Sequence, residues 1–175
     1  GYGAVGGSAA SAITGAGNTC IGYAAGYELE GAGHSNVYIG KSTGYNTKTG
    51  FKNVAIGFEA FKTAGTNNDI DNSVAIGYQA LYTTDSADTD GSVAVGYYAL
   101  KSLTTGQYNT ALGYRSLDAT DDGDSNTAVG YDALGANCGN GNTSVGYNAG
   151  LAVTGGFNTL IGSQVGDNIT SGTNN

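Results

Sequence analysis

NTAVGYDAL, residues 126–134, decides the fold, because near-copies of it recur along the chain: NTALGYRSL from Asn109, NTSVGYNAG from Asn142 and SVAVGYYAL from Ser92. The marker glycines of these phrases are Gly6, Gly22, Gly40, Gly57, Gly77, Gly96, Gly113, Gly130, Gly146 and Gly162, spaced 16, 18, 17, 20, 19, 17, 17, 16 and 16 residues apart. Such a period is too short for a helix pair or a propeller blade. It suits one turn of a β-solenoid whose coils stack in parallel about 4.8 Å apart. The expected fold is therefore all-β: a parallel β-solenoid of about ten coils of 16–20 residues, forming one repetitive segment over residues 1–175. Extra residues fall between phrases and read as surface loops.

Composition supports a repetitive β protein. Of 175 residues 32 are Gly and 13 are Tyr, none is Pro, Met or Trp, and only 11% are charged. The net charge of −8 and the lack of a basic cluster argue against nucleic acid or an anionic lipid surface as partner. No apolar run approaches the roughly 18 residues of a membrane span, so membrane insertion is not expected. No charged-then-apolar leader opens the chain. The chain begins inside a phrase, at GYGAVGG, and stops at SGTNN, which reads as an ordered segment of something longer.

Columns through the ten phrases give the strand. The residue before each marker glycine is aliphatic: Val5, Ile21, Ile39, Ile56, Ile76, Val95, Leu112, Val129, Val145 and Ile161. This column is expected to form the dry interior. Two residues earlier, on the same strand face, stand β-branched residues: Thr19, Val37, Val54, Val74, Val93, Thr110, Thr127, Thr143 and Thr159. Between them lies a column rich in Ala (Ala4, Ala55, Ala75, Ala94, Ala111, Ala128), so the opposite face is small. Tight packing is expected there, against a neighbouring subunit or the returning half of the same coil.

An aromatic column follows the glycines: Tyr23, Phe58, Tyr78, Tyr97, Tyr114, Tyr131 and Tyr147, interrupted by Gly7, Lys41 and Ser163. In register the rings form a stacked ladder, each neighbouring pair adding about 0.5 to 1.5 kcal/mol beyond burial. A structural ladder is preferred over a carbohydrate-binding strip. At the phrase starts, Asn18, Asn36, Asn53, Asn109, Asn126, Asn142 and Asn158, with Ser73 and Ser92 substituting, suit turns whose side chains bond backbone or the Asn one coil away.

The phrases NSVAIGYQAL, GSVAVGYYAL and NTAVGYDAL resemble the head repeats of YadA-like trimeric autotransporter adhesins, and equally the Gly- and Asn-rich repeats of phage tail fibres. The likeness covers nearly the whole chain. It implies one coil of a left-handed parallel β-roll per repeat, three chains side by side about a threefold axis, and an extracellular stiff rod used for attachment. The spacing here reaches 20 residues and the Tyr column is stronger than those heads suggest, which favours a phage or environmental fibre. A hexapeptide β-helix is the nearest rival fold. It needs three hexads per coil, and only one recognisable hexad such as VGYDAL occurs per repeat.

No residue is assigned to catalysis, to a cofactor or to a metal. The lone His34, in GAGHSN, reads as an exposed loop residue without the partners that acid-base or nucleophilic work needs. No phosphate-cradling loop opens a helix. Cys20 and Cys138 sit about seven coils apart, on the order of 30 Å, and cannot pair within one rod. Pairing between chains is open only to Cys138, read as a loop residue, and free thiols are the favoured reading. Asp118, Asp121, Asp122 and Asp124, and likewise Asp85, Asp88 and Asp90, could offer oxygens to Ca²⁺. Solvated loops that deter sideways aggregation fit better. Sequons start at Asn142 and Asn168.

The expected role is a structural fibre or adhesin segment, a homotrimer that supports host or surface attachment. Recognition of a cell-surface receptor or glycan would use the longer loops at 62–73, 82–91 and 118–125. One alternative is a self-assembling filament: joining SGTNN to GYGAVGG of another copy would place marker glycines 19 residues apart, within the internal range. A minor alternative is an ice-binding solenoid, disfavoured because the Thr column alternates with Val, shares its face with the aliphatic column assigned to the core, and leaves no outward Thr-x-Thr array. An enzyme is the least favoured class.

Overall fold

The computed structural model describes residues 15–63, 70–82, 89–167 and 169–175, so the phrase around Gly6 lies outside the described residues. Each remaining phrase folds as one three-residue strand: β1 (Thr19–Ile21), β2 (Val37–Ile39), β3 (Val54–Ile56), β4 (Val74–Ile76), β5 (Val93–Val95), β6 (Thr110–Leu112), β7 (Thr127–Val129), β8 (Thr143–Val145) and β9 (Thr159–Ile161). They pair in parallel, in chain order, as a single nine-stranded sheet. Register follows the phrases residue for residue: Val95 lies beside Leu112, and Leu112 beside Val129. The chain is an all-β parallel β-solenoid, and no helix occurs among the described residues.

The two strand faces are the reverse of the expectation. Ala55, Ala75, Ala94, Ala111 and Ala128 are fully buried, while Ile56 and Leu112 are exposed, Leu112 by 48%. The aliphatic column therefore forms one continuous row, but on the outside, and the Thr/Val column shares that outer face. The small face is covered by the returning half of the same coil. The reason lies in a column that strand periodicity does not reach. Phe61, Leu81, Leu100, Leu117 and Leu134, five residues past their strands, are all fully buried. These side chains point back across the coil and fill it, leaving room only for Ala on the strand. Leu29, Leu103 and Val153, further along their coils, are buried in the same core.

Core filling is shared between those two columns. Where the mid-strand residue is Ala, the residue six positions on is Leu or Phe. Where it is Cys20, Tyr38, Ser144 or Leu160, that residue is Gly26, Gly44, Gly150 or Gly166. A Cβ on Gly44 would lie 2.7 Å from ring atoms of Tyr38, and one on Gly166 would lie 3.0 Å from Leu160 Cδ1. Volume is thus held level from coil to coil, as a close-packed interior requires.

Two left-handed residues per coil turn the chain after the strand. Arg115 (φ 54°) and Leu117 (φ 53°) are typical, with Asp132 and Leu134 above them. Such residues cost about 1 to 3 kcal/mol each unless neighbours hold them. Here the amides on either side of the turn are tied in opposite directions. Arg115 N–H donates to Tyr97 in the preceding coil, and Leu117 N–H donates to Ala133 in the following one. The same pair of bonds recurs at Asp132 and Leu134, to Tyr114 and Ala149.

The marker glycines have their own cause. Their φ values run from 132° to 145°, and a Cβ on Gly113 would come within 2.2 Å of the Gly130 carbonyl oxygen. Close approach is thus to the next coil, not to another subunit. The Asn column lies inside. Asn126 Oδ1 accepts the Asn142 backbone N–H at 2.8 Å, and Asn109 Oδ1 accepts that of Asn126 at 2.9 Å. Side-chain amides donate to loop carbonyls, as Asn109 does to Gly123 at 2.7 Å. Ser73 and Ser92 continue the chain of acceptors through their hydroxyls.

Candidate functional site

With the interior filled by Ala and Leu, the features left for interaction are on the outside. The outer face of β1–β9 carries only Thr, Val, Ile and Leu at its outward positions. No charge interrupts it. These side chains are half-buried or exposed along the whole sheet, a continuous apolar surface of the kind that marks interaction sites.

Along one edge of this face runs the aromatic ladder. Neighbouring rings from Phe58 through Tyr78, Tyr97, Tyr114 and Tyr131 to Tyr147 stack with centroids 5.0–5.3 Å apart and planes within 5–19°. Lys41, which interrupts the column, places its ammonium 5.7 Å from the Phe58 centroid. Because each ring face is covered by the next ring, the ladder presents edges and hydroxyls. A sugar that stacks on an aromatic face finds little to stack on along this row. Tyr27 and Tyr45 make a second short stack, 5.1 Å apart, past the turn.

The candidate residues of the loops are put to other uses. His34 is half-buried and stacks on Phe51 at 5.1 Å, with Nδ1 3.1 Å from Ser35 Oγ. Asp118 pairs with Arg115 at 2.7 Å, Asp121 accepts the Thr104 hydroxyl, and Asp124 accepts the Gln107 N–H at 2.8 Å. Asp121 and Asp124 tie one coil to the preceding one, Asp118 pairs within its own turn, and no group of three or more ligating side chains converges among the described residues. Asp85, Asp88 and Asn168 lie outside the described residues, as do loop residues 64–69 and 83–88.

Two loop readings change. Cys138 is buried, only 2% exposed, with its Sγ 3.4 Å from Thr120 Oγ1. It cannot reach another chain. Cys20 and Cys138 are both free thiols, and burial pushes the Cys20 thiol up to about 11. Asn142 is fully buried, and its side-chain amide donates to Asn126 Oδ1, Gly139 O and Gly155 O. A glycan on that nitrogen would break the ladder, so the first sequon is closed.

One corner of the turn has a depression of about 330 Å³ bounded by Tyr97, Tyr98, Lys101, Tyr114, Arg115 and Asp118. Arg115 Nε lies 2.7 Å from Asp118 Oδ2 and 3.6 Å from Asp132 Oδ1. The Asp118 side chain, hydrogen-bonded to it, raises the Arg115 guanidinium above its ordinary value. Desolvation raises the Asp132 carboxyl, with Arg115 opposing that shift. Sequence columns did not single out this corner, since only one coil carries Tyr in the position after the ladder ring.

No helix of the described residues is long and apolar enough to cross a membrane. Compared with known proteins, the chain matches no family model, no curated protein and no solved structure.

Proposed function

We propose that this chain is a rod segment of an extracellular attachment fibre, on a virion or a cell surface, in which copies associate side by side through the outer face of β1–β9. The observation that carries the reading is the uncharged row Ile39, Ile56, Ile76, Val95, Leu112, Val129 and Val145, outside the coil and level with a row of Val and Thr. Eight steps of about 4.8 Å and a width of roughly 15 Å make a flat area of roughly 600 Å² before side-chain relief, near the ~800 Å² per partner of a stable interface. Its residues are those a core would use, and a second copy offers the same surface. Three copies about the rod axis, as in the adhesin and tail-fibre repeats the sequence resembles, would bury it from every subunit. Stiffness comes from the inter-coil hydrogen bonds, and the role is mechanical: to hold a recognition element away from its base.

Light scattering on the purified 175-residue chain tests this. A mass of three times 17.4 kDa is expected, and Ile76→Lys, Val95→Lys and Leu112→Lys together should give a folded monomer with unchanged far-UV circular dichroism. A parent that stays monomeric at about 50 μM, well above usual micromolar affinities, removes the side-by-side reading. Open-ended polymers favour the filament.

The outward Thr column favours a second reading. Thr110, Thr127, Thr143 and Thr159 share the outer face with Leu112, Val129, Val145 and Ile161, so one ground for setting ice binding aside, a core-facing Thr column, is gone, while no strand carries a Thr-x-Thr pair. The Val run from Val37 to Val93 breaks that array, which keeps this reading second. Thermal hysteresis of the parent chain, whose outer face is unaltered, would favour ice binding, and its absence at micromolar protein would remove that reading.

A further inference from the structure

The outer face repeats itself so closely that its rows cannot fix the height of one copy against another. Sliding a neighbour by one coil, about 4.8 Å, sets Val95 where Leu112 stood and Leu112 where Val129 stood, with nearly the same contacts. A row of like residues leaves register weakly specified, and an unlike residue is what fixes it. Such a residue must be exposed, stand beside the face, and not recur in every coil.

One column meets these conditions twice. Two positions before each strand stands a left-handed residue, with φ from 56° to 77°. In the β6 and β9 coils it is Tyr108 (φ 58°) and Phe157 (φ 60°), and in the other described coils it is Gly, Ser, Asn or Lys. Bulky residues are uncommon in this conformation, and strain that persists calls for a cause. Elsewhere the cause is visible. Phe61 (φ 57°) is fully buried and fills the coil, and Tyr98 (φ 59°) packs on Tyr97 with ring centroids 4.1 Å apart. Tyr108 and Phe157 are instead 63% and 62% exposed, the most exposed aromatic side chains among the described residues.

Room for each ring is made in the coil before it. A Cβ on Gly91 would lie 2.8 Å from Tyr108 Cδ1, and one on Gly141 would lie 2.8 Å from Phe157 Cδ1. Both rings border the outer face on the side away from the tyrosine ladder, two positions before Thr110 and Thr159. Neither fills the interior of its own chain. They stand three coils apart, about 14 Å along the rod.

From these observations we infer that Tyr108 and Phe157 are the register anchors of the side-by-side association proposed above, on which this inference rests, each packing against its own equivalent in a second, parallel copy of the chain. Aromatic side chains are enriched among the residues that carry interfaces, and paired rings add to what burial supplies. Only level copies bring Tyr108 to Tyr108 and Phe157 to Phe157. A slip of one coil sets Tyr108 against Gly91 or Ser125, and Phe157 against Gly141 or Asn174. A slip of three coils leaves one ring pair, Tyr108 with Phe157, in place of two.

The test mixes copies of the 175-residue chain carrying carbon-13 in Tyr and Phe with unlabelled copies and reads isotope-filtered NOEs. Tyr108 rings of labelled copies should contact Tyr108 rings of unlabelled ones, and Phe157 rings likewise. A second measurement combines Tyr108→Ser and Phe157→Ser. Serine already stands in this column at Ser35 and Ser125, with φ of 59° and 57°, so the turn accepts it. By light scattering the double variant should still associate, because the apolar rows are intact, but its single register should be lost. Methyl groups of Val95, Leu112 and Val129, on the outside, should each pass from one NMR signal set in the parent to several in the variant, while those of buried Leu117 and Leu134 stay single. An associated parent whose rings touch other residues or none overturns the inference. So does a variant that keeps one set of outward signals, or one that no longer associates. These outcomes leave the fibre reading standing, whereas a monomeric parent removes that reading and this inference together.

Discussion

The ring of Tyr38 occupies the space that a side chain on Gly44 would need: a Cβ built there would lie 2.7 Å from three of its ring atoms. In the coils above, the same two positions are exchanged, Ala55 with Phe61 and Ala75 with Leu81. Each pair acts as one unit of volume. Tyr38→Ala should cost about 3 to 5 kcal/mol through the cavity it leaves, and Gly44→Leu should be at least as damaging through overlap. Combined, they recreate the arrangement of the neighbouring coils, where Leu81 and Leu100 already hold φ of 49° and 51°. Urea unfolding of the four proteins should show the double variant recovering more than half the loss of the worse single, a large coupling in a mutant cycle. Simple additivity would mean that the exchange does not set the core volume.

A related contrast separates backbone strain from contact at the marker glycines. Gly113 and Gly162 have similar φ, 145° and 136°, yet a Cβ on Gly113 meets the Gly130 carbonyl oxygen at 2.2 Å while one on Gly162 meets nothing within 4 Å. Both alanine variants carry the conformational strain, about 1 to 3 kcal/mol. Only Gly113→Ala must also push two backbones apart. It should lose about 3 kcal/mol or more, clearly beyond Gly162→Ala, by thermal or urea unfolding. Equal losses would assign the glycine to φ alone.

The period, the strands, their parallel order and the tyrosine stack were all legible in the sequence, because each is a statement about like residues recurring at like positions. Orientation was not. Strand alternation says that Ala111 and Leu112 face opposite ways, but not which way is in, and large aliphatics are the usual choice for a core. What decided it was Leu117, in a turn where alternation no longer applies and φ is 53°. The signal was present in the tail of the phrase, the AL of YDAL, and in its replacement by Gly26, Gly44, Gly150 and Gly166 wherever the strand centre departs from Ala. The corner at Tyr98 was illegible for the opposite reason. It occurs in one coil, and a repeat analysis averages over what is unique.

Burial of the two thiols gives a chemical test of the coil interior. The Cys20 thiol is raised from 9.0 to about 11, and Cys138 is raised as well, burial being the leading cause for both. At pH 8 a thiol with a value near 11 holds roughly a hundredfold less thiolate than one near 9, and only the thiolate reacts. A disulfide reagent at pH 8 should therefore modify neither cysteine readily in the folded chain and both rapidly in urea. The sign is fixed by the raised values: labelling accelerates as pH rises toward 11. Fast reaction of Cys138 at pH 8 would place it at the surface and undo the buried contact with Thr120.

The internal asparagine row makes a graded prediction, because natural serines already stand in it. Asn126 Oδ1 accepts the Asn142 backbone N–H at 2.8 Å and its side-chain amide at 3.1 Å, whereas the Asn126 amide nitrogen is buried without a partner. Its contribution therefore lies in the acceptor. Asn126→Ala removes that acceptor and strands a buried N–H, at about 1 to 3 kcal/mol. Asn126→Ser keeps a hydroxyl where Ser73 and Ser92 accept the Ser92 and Asn109 amides, at 3.2 and 3.3 Å. The longer bonds mean partial recovery, so serine should fall between alanine and the parent in unfolding midpoint. Hydrogen exchange at the Asn142 amide should follow the same order. If alanine and serine were equally destabilised, the row would be held by shape and backbone pairing alone, and the side-chain acceptor would have no part in joining coil to coil.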